Sequence, residues 1–266
     1  MANEIIQRGI VSRLLRFSQR QQDGQPSTPA GLRTGPYGEQ FVIPALHNKA
    51  ALAEEGAYFS NGMASAASAI TYGVTTAYTT FATSYPFLVM QNNDSGLGGQ
   101  GLNVAPDFVK LGITTAPTGG ASAYLAIVLD QNRAPTANAT LLNTAGPVNH
   151  NGNVGAQSVT QSWVPTTGAN MTVPAATGAA RPVVRAKQLR AQIPVALDEY
   201  VIQFGSVDGD AGGAPLTGAA AGASKIVGQV PPLVIPPQWF ALFYLWFPSS
   251  SGFAAFNFLE EGHYER

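Results

Sequence analysis

The segment Gly96-Leu97-Gly98-Gly99-Gln100-Gly101 has the spacing of a dinucleotide-binding turn, whose backbone N–H groups cradle a pyrophosphate at the start of a helix. The residues that follow, Leu102-Asn103-Val104-Ala105-Pro106-Asp107, do not open a helix. A loop in which glycine supplies positive φ is expected instead. Asp208-Gly209-Asp210 has the flavour of a calcium loop, in which alternate carboxylates converge on one hard cation. The later ligands of such a loop are missing, above all a downstream bidentate glutamate, so a plain Asp-Gly turn is expected. His47, His150 and His263 share no metal-ligand spacing. Each falls in or beside a loop or terminus, where a solvated imidazole is the default. A serine, His150 and an aspartate could meet in space, yet no Gly-x-Ser-x-Gly elbow is present. Asp198-Glu199 and Glu260-Glu261 are adjacent carboxylates. Neighbours on a strand point to opposite faces, so these pairs are expected to be solvated strand ends rather than the paired acids of a glycosidase. The sequons at Asn93, Asn138 and Asn170 matter only in a secretory pathway. No catalytic residue, cofactor-binding residue or metal ligand is therefore expected, and the chain is read as a non-enzyme.

The elements that would carry any such chemistry are charge-poor and turn-rich. Of 266 residues only 11% are charged, against roughly a quarter in ordinary domains, while Gly (29) and Pro (19) are raised. A net charge of -1 supplies no global field for nucleic acid. With no cysteine there are no disulfides or thiolate metal sites, and stability has to come from packing. The opening residues lack a charged region followed by an apolar one, so no secretory signal is expected. The longest apolar run, 239–247, is far short of a spanning helix, and no membrane partner is expected.

Residues 3–20 carry the one helical pattern. Ile6, Ile10, Val11, Leu14 and Phe17 fall on one side, with Arg13, Arg16 and Arg20 opposite. Over residues 1–34, Arg8, Arg13, Arg16, Arg20 and Arg33 face only Glu4 and Asp23. A basic amphipathic arm is expected, laying Ile6, Ile10, Leu14 and Phe17 on this or a neighbouring subunit while Arg8, Arg13, Arg16 and Arg20 reach solvent or an acidic partner. A polar Gly/Pro linker follows to residue 36.

From residue 37 the pattern becomes β. A short strand is expected at 39–43 and a helical turn over 46–58 that ends near Gly56. Weak strand character at 60–84 follows, then strands at 86–91, 104–114, 124–129, 158–164, 182–195 and 200–204, each bounded by Gly, Pro, Asn or Asp. Short, evenly spaced strands of this kind suggest a sandwich or barrel. Arg181, Arg185, Lys187 and Arg190 form the second basic concentration. They suit an edge strand whose charge opposes self-association, or a contact between subunits with acidic groups such as Glu260, Glu261 and Glu265.

The last strand pair dominates the chain. Trp239-Phe240-Ala241-Leu242-Phe243-Tyr244-Leu245-Trp246-Phe247 is followed, after a Pro-Ser-Gly stretch, by a second aromatic run over 253–259. Two strands joined by a tight loop are expected. Alternation leaves Trp239, Phe243 and Phe247 on one face and Phe240, Tyr244 and Trp246 on the other, and neither face is polar. A strand apolar on both sides is covered on both sides. The second cover is expected from another subunit or a flanking segment of the chain, so these aromatics are assigned to a subunit interface or the core.

Taken in order, Gly31 to Val42 (GLRTGPYGEQFV), Leu52 to Phe59 (LAEEGAYF), Pro86 to Asn92 (PFLVMQN) and the Trp246 to Arg266 tail resemble virion structural proteins of tailed bacteriophages, the group encoded among head and neck genes. The basic arm is not part of that pattern. The resemblance implies a jelly-roll-like sandwich, so an all-β, jelly-roll-like antiparallel β-sandwich is expected over 37–266, behind the N-terminal helical arm and linker over 1–36 that the periodicity alone supplies. It implies a capsid decoration, cement or minor capsid protein, assembled into the virion in the host cytoplasm, with no catalytic residues to transfer. The expected partners are the major capsid protein or another virion protein and further copies of the chain, a trimer being favoured. No small-molecule substrate or cofactor is expected. The competing class is a carbohydrate- or receptor-binding module of a phage tail or spike, which would share the strand pattern.

Overall fold

The computed structural model describes residues 52–53, 55–63, 70–72, 86–96, 101–115, 123–152, 155, 157–166, 169–190, 196, 199–205, 224–246 and 254–266. Side chains are described throughout these except at 70–72, 114–115, 123, 186–190, 224–229, 246 and 254–258. The chain divides into Met1–Glu55 and Gly56–Arg266. In the first unit Leu52 and Ala53 are helical, in line with the turn expected before Gly56, whose φ of 69° is the left-handed conformation that glycine adopts at a helix end. The expected arm, with Arg8, Arg13, Arg16, Arg20, Ile6, Ile10, Leu14 and Phe17, lies outside the described residues, as does the strand expected at 39–43.

The second unit holds thirteen described strands: β1 (Tyr58–Gly62), β2 (Ile70–Tyr72), β3 (Pro86–Asn92), β4 (Val104–Thr115), β5 (Ala123–Gln131), β6 (Ala139–Leu141), β7 (Val148–Asn149), β8 (Thr160–Pro165), β9 (Arg181–Arg190), β10 (Glu199–Phe204), β11 (Ser224–Val230), β12 (Trp239–Trp246) and β13 (Ala254–Glu265). The protein is all-β among its described residues, apart from the short turn at Leu52. One sheet has the order β11-β10-β4-β13-β1-β7, with β2 also pairing β13, and the other runs β6-β8-β3-β12-β5-β9. Every pairing is antiparallel except that of β10 with β11.

The two sheets share one core, and period-two alternation explains which residues enter it. On β4, Val109, Leu111 and Ile113 are buried while the neighbouring Phe108 and Lys110 are less so. On β10, Tyr200 and Ile202 behave in the same way. These meet Phe87, Met90, Leu125, Ile127, Phe243 and Leu245 of the opposite sheet. Phe204 packs edge-on to Phe243 across the interior, with centroids 6.0 Å apart.

The aromatic strand β12 sits in the middle of its sheet, between β3 and β5. It is not paired with β13, which lies in the other sheet between β4 and β1. The expected hairpin is therefore corrected. Each strand has two flanking partners elsewhere, which satisfies both of its backbone edges. The outward face of β12, Phe240, Leu242 and Tyr244, forms a second buried cluster with Met171 and Val173. Those residues belong to the connection from β8 to β9, which crosses the sheet's outer face. Of the two covers that the sequence left open, the chain itself supplies the one over Phe240, Leu242 and Tyr244. Burying side chains of this size contributes about 1.5–3 kcal/mol each.

Candidate functional site

The densest group of chemically capable side chains lies inside the sandwich, on β13 and β8. Strand β13 continues to Glu265, well past the aromatic run, so Glu261, His263 and Glu265 at alternate positions face the interior. From the opposite sheet Ser158, Thr160 and Ser162 face them, again at alternate positions. The expectation that His263 and Glu261 are solvated is overturned: His263 and Glu261 are 0% exposed and Glu265 1%. Glu260 next to Glu261 is only partly buried, as strand alternation requires.

The hydrogen bonds run as a chain. His263 Nδ1 is 2.8 Å from Glu261 Oε2, and Glu261 Oε1 accepts from Ser162 Oγ at 2.9 Å. On the other side His263 Nε2 lies 3.2 Å from Ser158 Oγ and 3.5 Å from Glu265 Oε1. Glu265 Oε1 accepts from Ser158 Oγ at 2.6 Å, Val159 N at 2.9 Å and Thr160 Oγ1 at 3.1 Å. Phe59, opposite His263 in the β1–β13 ladder, stacks on the imidazole at 5.7 Å. Glu265 Oε2 is buried with no hydrogen-bond partner among the described residues.

Burial works against a charge on His263, but the two glutamates outweigh it and raise its pKa to about 9. Burial likewise works to raise Glu265, and is outweighed by His263, Ser158 and Thr160, which hold the carboxyl below its ordinary value. At neutral pH the group is an imidazolium between two carboxylates. Its content, Ser-His-Glu, is that of a nucleophilic triad, but its proton polarity is reversed. A nucleophilic serine needs a neutral imidazole to accept its proton. Here Nε2 carries a proton and donates toward Ser158 Oγ, which also accepts from Thr160 N at 3.0 Å. Ser158 passes its own proton toward Glu265. What the arrangement does is join β13 to β8 across the core.

A second buried pair anchors the outer layer. Asp130 and Arg133 are both 0% exposed and 2.8 Å apart. Arg133 Nη2 donates to Tyr244 OH at 3.2 Å. Thr177 donates to Asp130 through its backbone N–H at 2.9 Å and through its hydroxyl. Burial works to raise the Asp130 carboxyl, and the donors from Thr177, Arg133 and Gln131 outweigh it and lower the pKa. The connection over β12 is also fastened by Thr136 N to Thr172 O and Thr172 N to Ala137 O, each 2.9 Å.

A serine–histidine contact also occurs at the surface. Ser60, on the outward face of β1, lies 2.8 Å from Nε2 of exposed His150. Tyr58 meets the His150 ring edge-on at 5.0 Å and donates to Asp107 Oδ2 at 2.7 Å. Burial, then Asp107, push the Tyr58 hydroxyl pKa up. Among the described residues no carboxylate orients the other His150 nitrogen, which leaves the pair without the third member of a triad.

The glycine-rich segment is a loop, as expected, for its described residues. Gly96 has a φ of 61°. Asp94 caps the loop, accepting from Gly96 N at 3.1 Å and Leu102 N at 2.6 Å, and these backbone donors hold its carboxyl pKa low. A carboxylate occupies the donors a phosphate would want, and strand β4 follows where a helix would be needed. A Cβ on Gly101 would overlap the Pro237 ring.

The remaining sequence candidates are dispersed. Strand β9 is an edge of its sheet, where its basic residues were expected. Arg185 on it is exposed, and Arg181 lies over the Trp239 ring at 5.3 Å. Lys187 and Arg190 are placed by backbone only. Phe240, Phe243 and Tyr244 are core residues, and Trp239 is partly buried against the core. Trp246 ends β12 with its side chain undescribed, while Phe247, His47, Asp208 and Asp210 lie outside the described residues. Among those described, no group of three His, Asp or Glu side chains is placed to hold a metal ion, and no helix is long and apolar enough to cross a membrane. Comparison with protein-family models, with curated proteins and with solved structures gives no match.

Proposed function

We propose that this chain is a structural component of a tailed-phage particle, a jelly-roll-like sandwich that binds and stabilises the capsid shell as a decoration, cement or minor capsid protein. One observation carries the reading beyond the sequence resemblance. The described groups best equipped for chemistry, Glu261, His263 and Glu265 with the partly buried Ser158, are spent on joining two sheets, and the two carboxyl groups and the imidazole are closed off from solvent. Such a body works through its surface. The aromatic strand no longer argues for a second copy, because Met171 and Val173 cover Phe240, Leu242 and Tyr244. The contact with the shell is assigned instead to the basic arm, through Arg8, Arg13, Arg16 and Arg20, with exposed Arg185 as a further charged contact.

The test is co-sedimentation of the purified chain with empty heads of the phage that encodes it. Saturable, stoichiometric binding that disappears when residues 1–36 are removed is the expected result. Binding to host surface glycan that survives removal of the arm would overturn the assignment in favour of a receptor-binding module.

A further inference from the structure

The chain contains two Asn-Gly pairs, Asn61-Gly62 and Asn151-Gly152, and the fold treats them in opposite ways. This dipeptide is the one most prone to intramolecular imide formation, because glycine places no side chain in the path of its own backbone nitrogen. The nitrogen must come within bonding distance of the asparagine side-chain carbonyl carbon. An extended strand holds the two apart, and a turn brings them together.

Asn61 and Gly62 lie within β1, in register with Glu261 and Glu260 of β13. The Asn61 side chain is buried, 3% exposed. Cyclisation there requires β1 to leave its ladder with β13. Asn151 and Gly152 follow β7, the outermost strand of the same sheet. Asn151 N donates to Asn149 Oδ1 at 2.8 Å, which curls the backbone away from the strand. Gly152 is an exposed turn residue with nothing within 4 Å of the place a Cβ would occupy.

We propose that Asn151 is a site of spontaneous, self-catalysed deamidation in the native protein, and that Asn61 is protected from the same reaction by the fold. The Gly152 backbone nitrogen attacks the Asn151 Cγ, the new C–N bond forms, and ammonia leaves with the proton that the Gly152 amide gives up. Water then opens the five-membered imide at either carbonyl, giving aspartate or its β-linked isomer. No oxidant or enzyme enters the balance.

Two consequences follow from the position. The new carboxylate places a negative charge next to His150, whose ring holds the Ser60 contact. The β-linked product adds a methylene to the main chain just beyond the two ladder pairs that hold β7 on β1, Phe59 with Asn149 and Ser60 with Val148. The rim of the seven-stranded sheet loosens as the molecule ages.

The experiment is incubation of the folded full chain in mildly alkaline buffer, followed by peptide mass spectrometry of both Asn-Gly sites over time. Expected is conversion at Asn151 many-fold faster than at Asn61, with the difference abolished in denaturant, where only local sequence matters. Gly152→Ala should slow the reaction in the folded chain without altering thermal stability. Equal rates at the two sites in the folded protein, or a rate at Asn151 unchanged by Gly152→Ala, would overturn the proposal.

Discussion

His263 is the residue on which most of the interior electrostatics turns. In an unfolded chain a histidine titrates near ~6.5, and packing between Glu261 and Glu265 raises it to about 9. The folded state thus holds a proton that the unfolded state releases first. The stabilising contribution is complete below ~6.5 and is lost as pH rises through the folded value, a difference on the order of 3 kcal/mol. Glu265 and Asp130 act in the other direction, with pKa values held low, so their contribution disappears as pH falls below the ordinary carboxylate range. Urea unfolding at a series of pH values should show both limbs. His263→Gln should cost about 3–5 kcal/mol at neutral pH, because it leaves two buried carboxylates without their cation; it should flatten the alkaline limb, and weaken the acid limb as well because His263 helps hold the Glu265 carboxyl low. An alkaline limb that survives the substitution would assign the titration to another group. The expectation of a solvated Glu260-Glu261 pair and a solvated His263 misses all of this. The legible signal was the alternation of Glu261, His263 and Glu265, matched by Ser158, Thr160 and Ser162, which is the signature of two strands turning polar faces toward each other.

At the scale of elements, strands β3, β4, β5, β8 and β10 were legible because apolar and β-branched residues alternate between clear turn signals. Strands β6 and β7 were hidden in a stretch of small residues, 135–153, and β11 was not anticipated. All three are edge strands, and β6 and β7 bury little and so need little apolar character. The two-sided apolar character of β12 correctly demanded two covers, but sequence alone could not name the second. That cover is a prediction in its own right. Met171→Ala should cost about 2–5 kcal/mol, as for other buried large-to-small changes, and should raise binding of a hydrophobic dye by opening the layer over Leu242. An effect confined to a few tenths of a kcal/mol would mean that the connection is not the working cover of β12.

For the whole molecule, the described surface offers few apolar contacts. The exposed large hydrophobics among the described residues are Leu141, Val148 and Val234, scattered singly as on ordinary monomers. The chain without residues 1–36 is therefore expected to be monomeric by light scattering, with any higher mass confined to the full chain. An oligomer that persists without residues 1–36 would move the interface onto the sandwich itself. The order of the strands carries a further consequence for biosynthesis. Strand β12 joins β3, β8 and β6 to β5 and β9, and β13 joins β1 and β7 to β4, β10 and β11. Until the final pair leaves the ribosome, each sheet exists only as two separate halves with raw edges. Such a nascent polypeptide has to wait, shielded by chaperones or by its own low stickiness, before anything native can close. A chain stopped at Gln238 should show no cooperative melting at all.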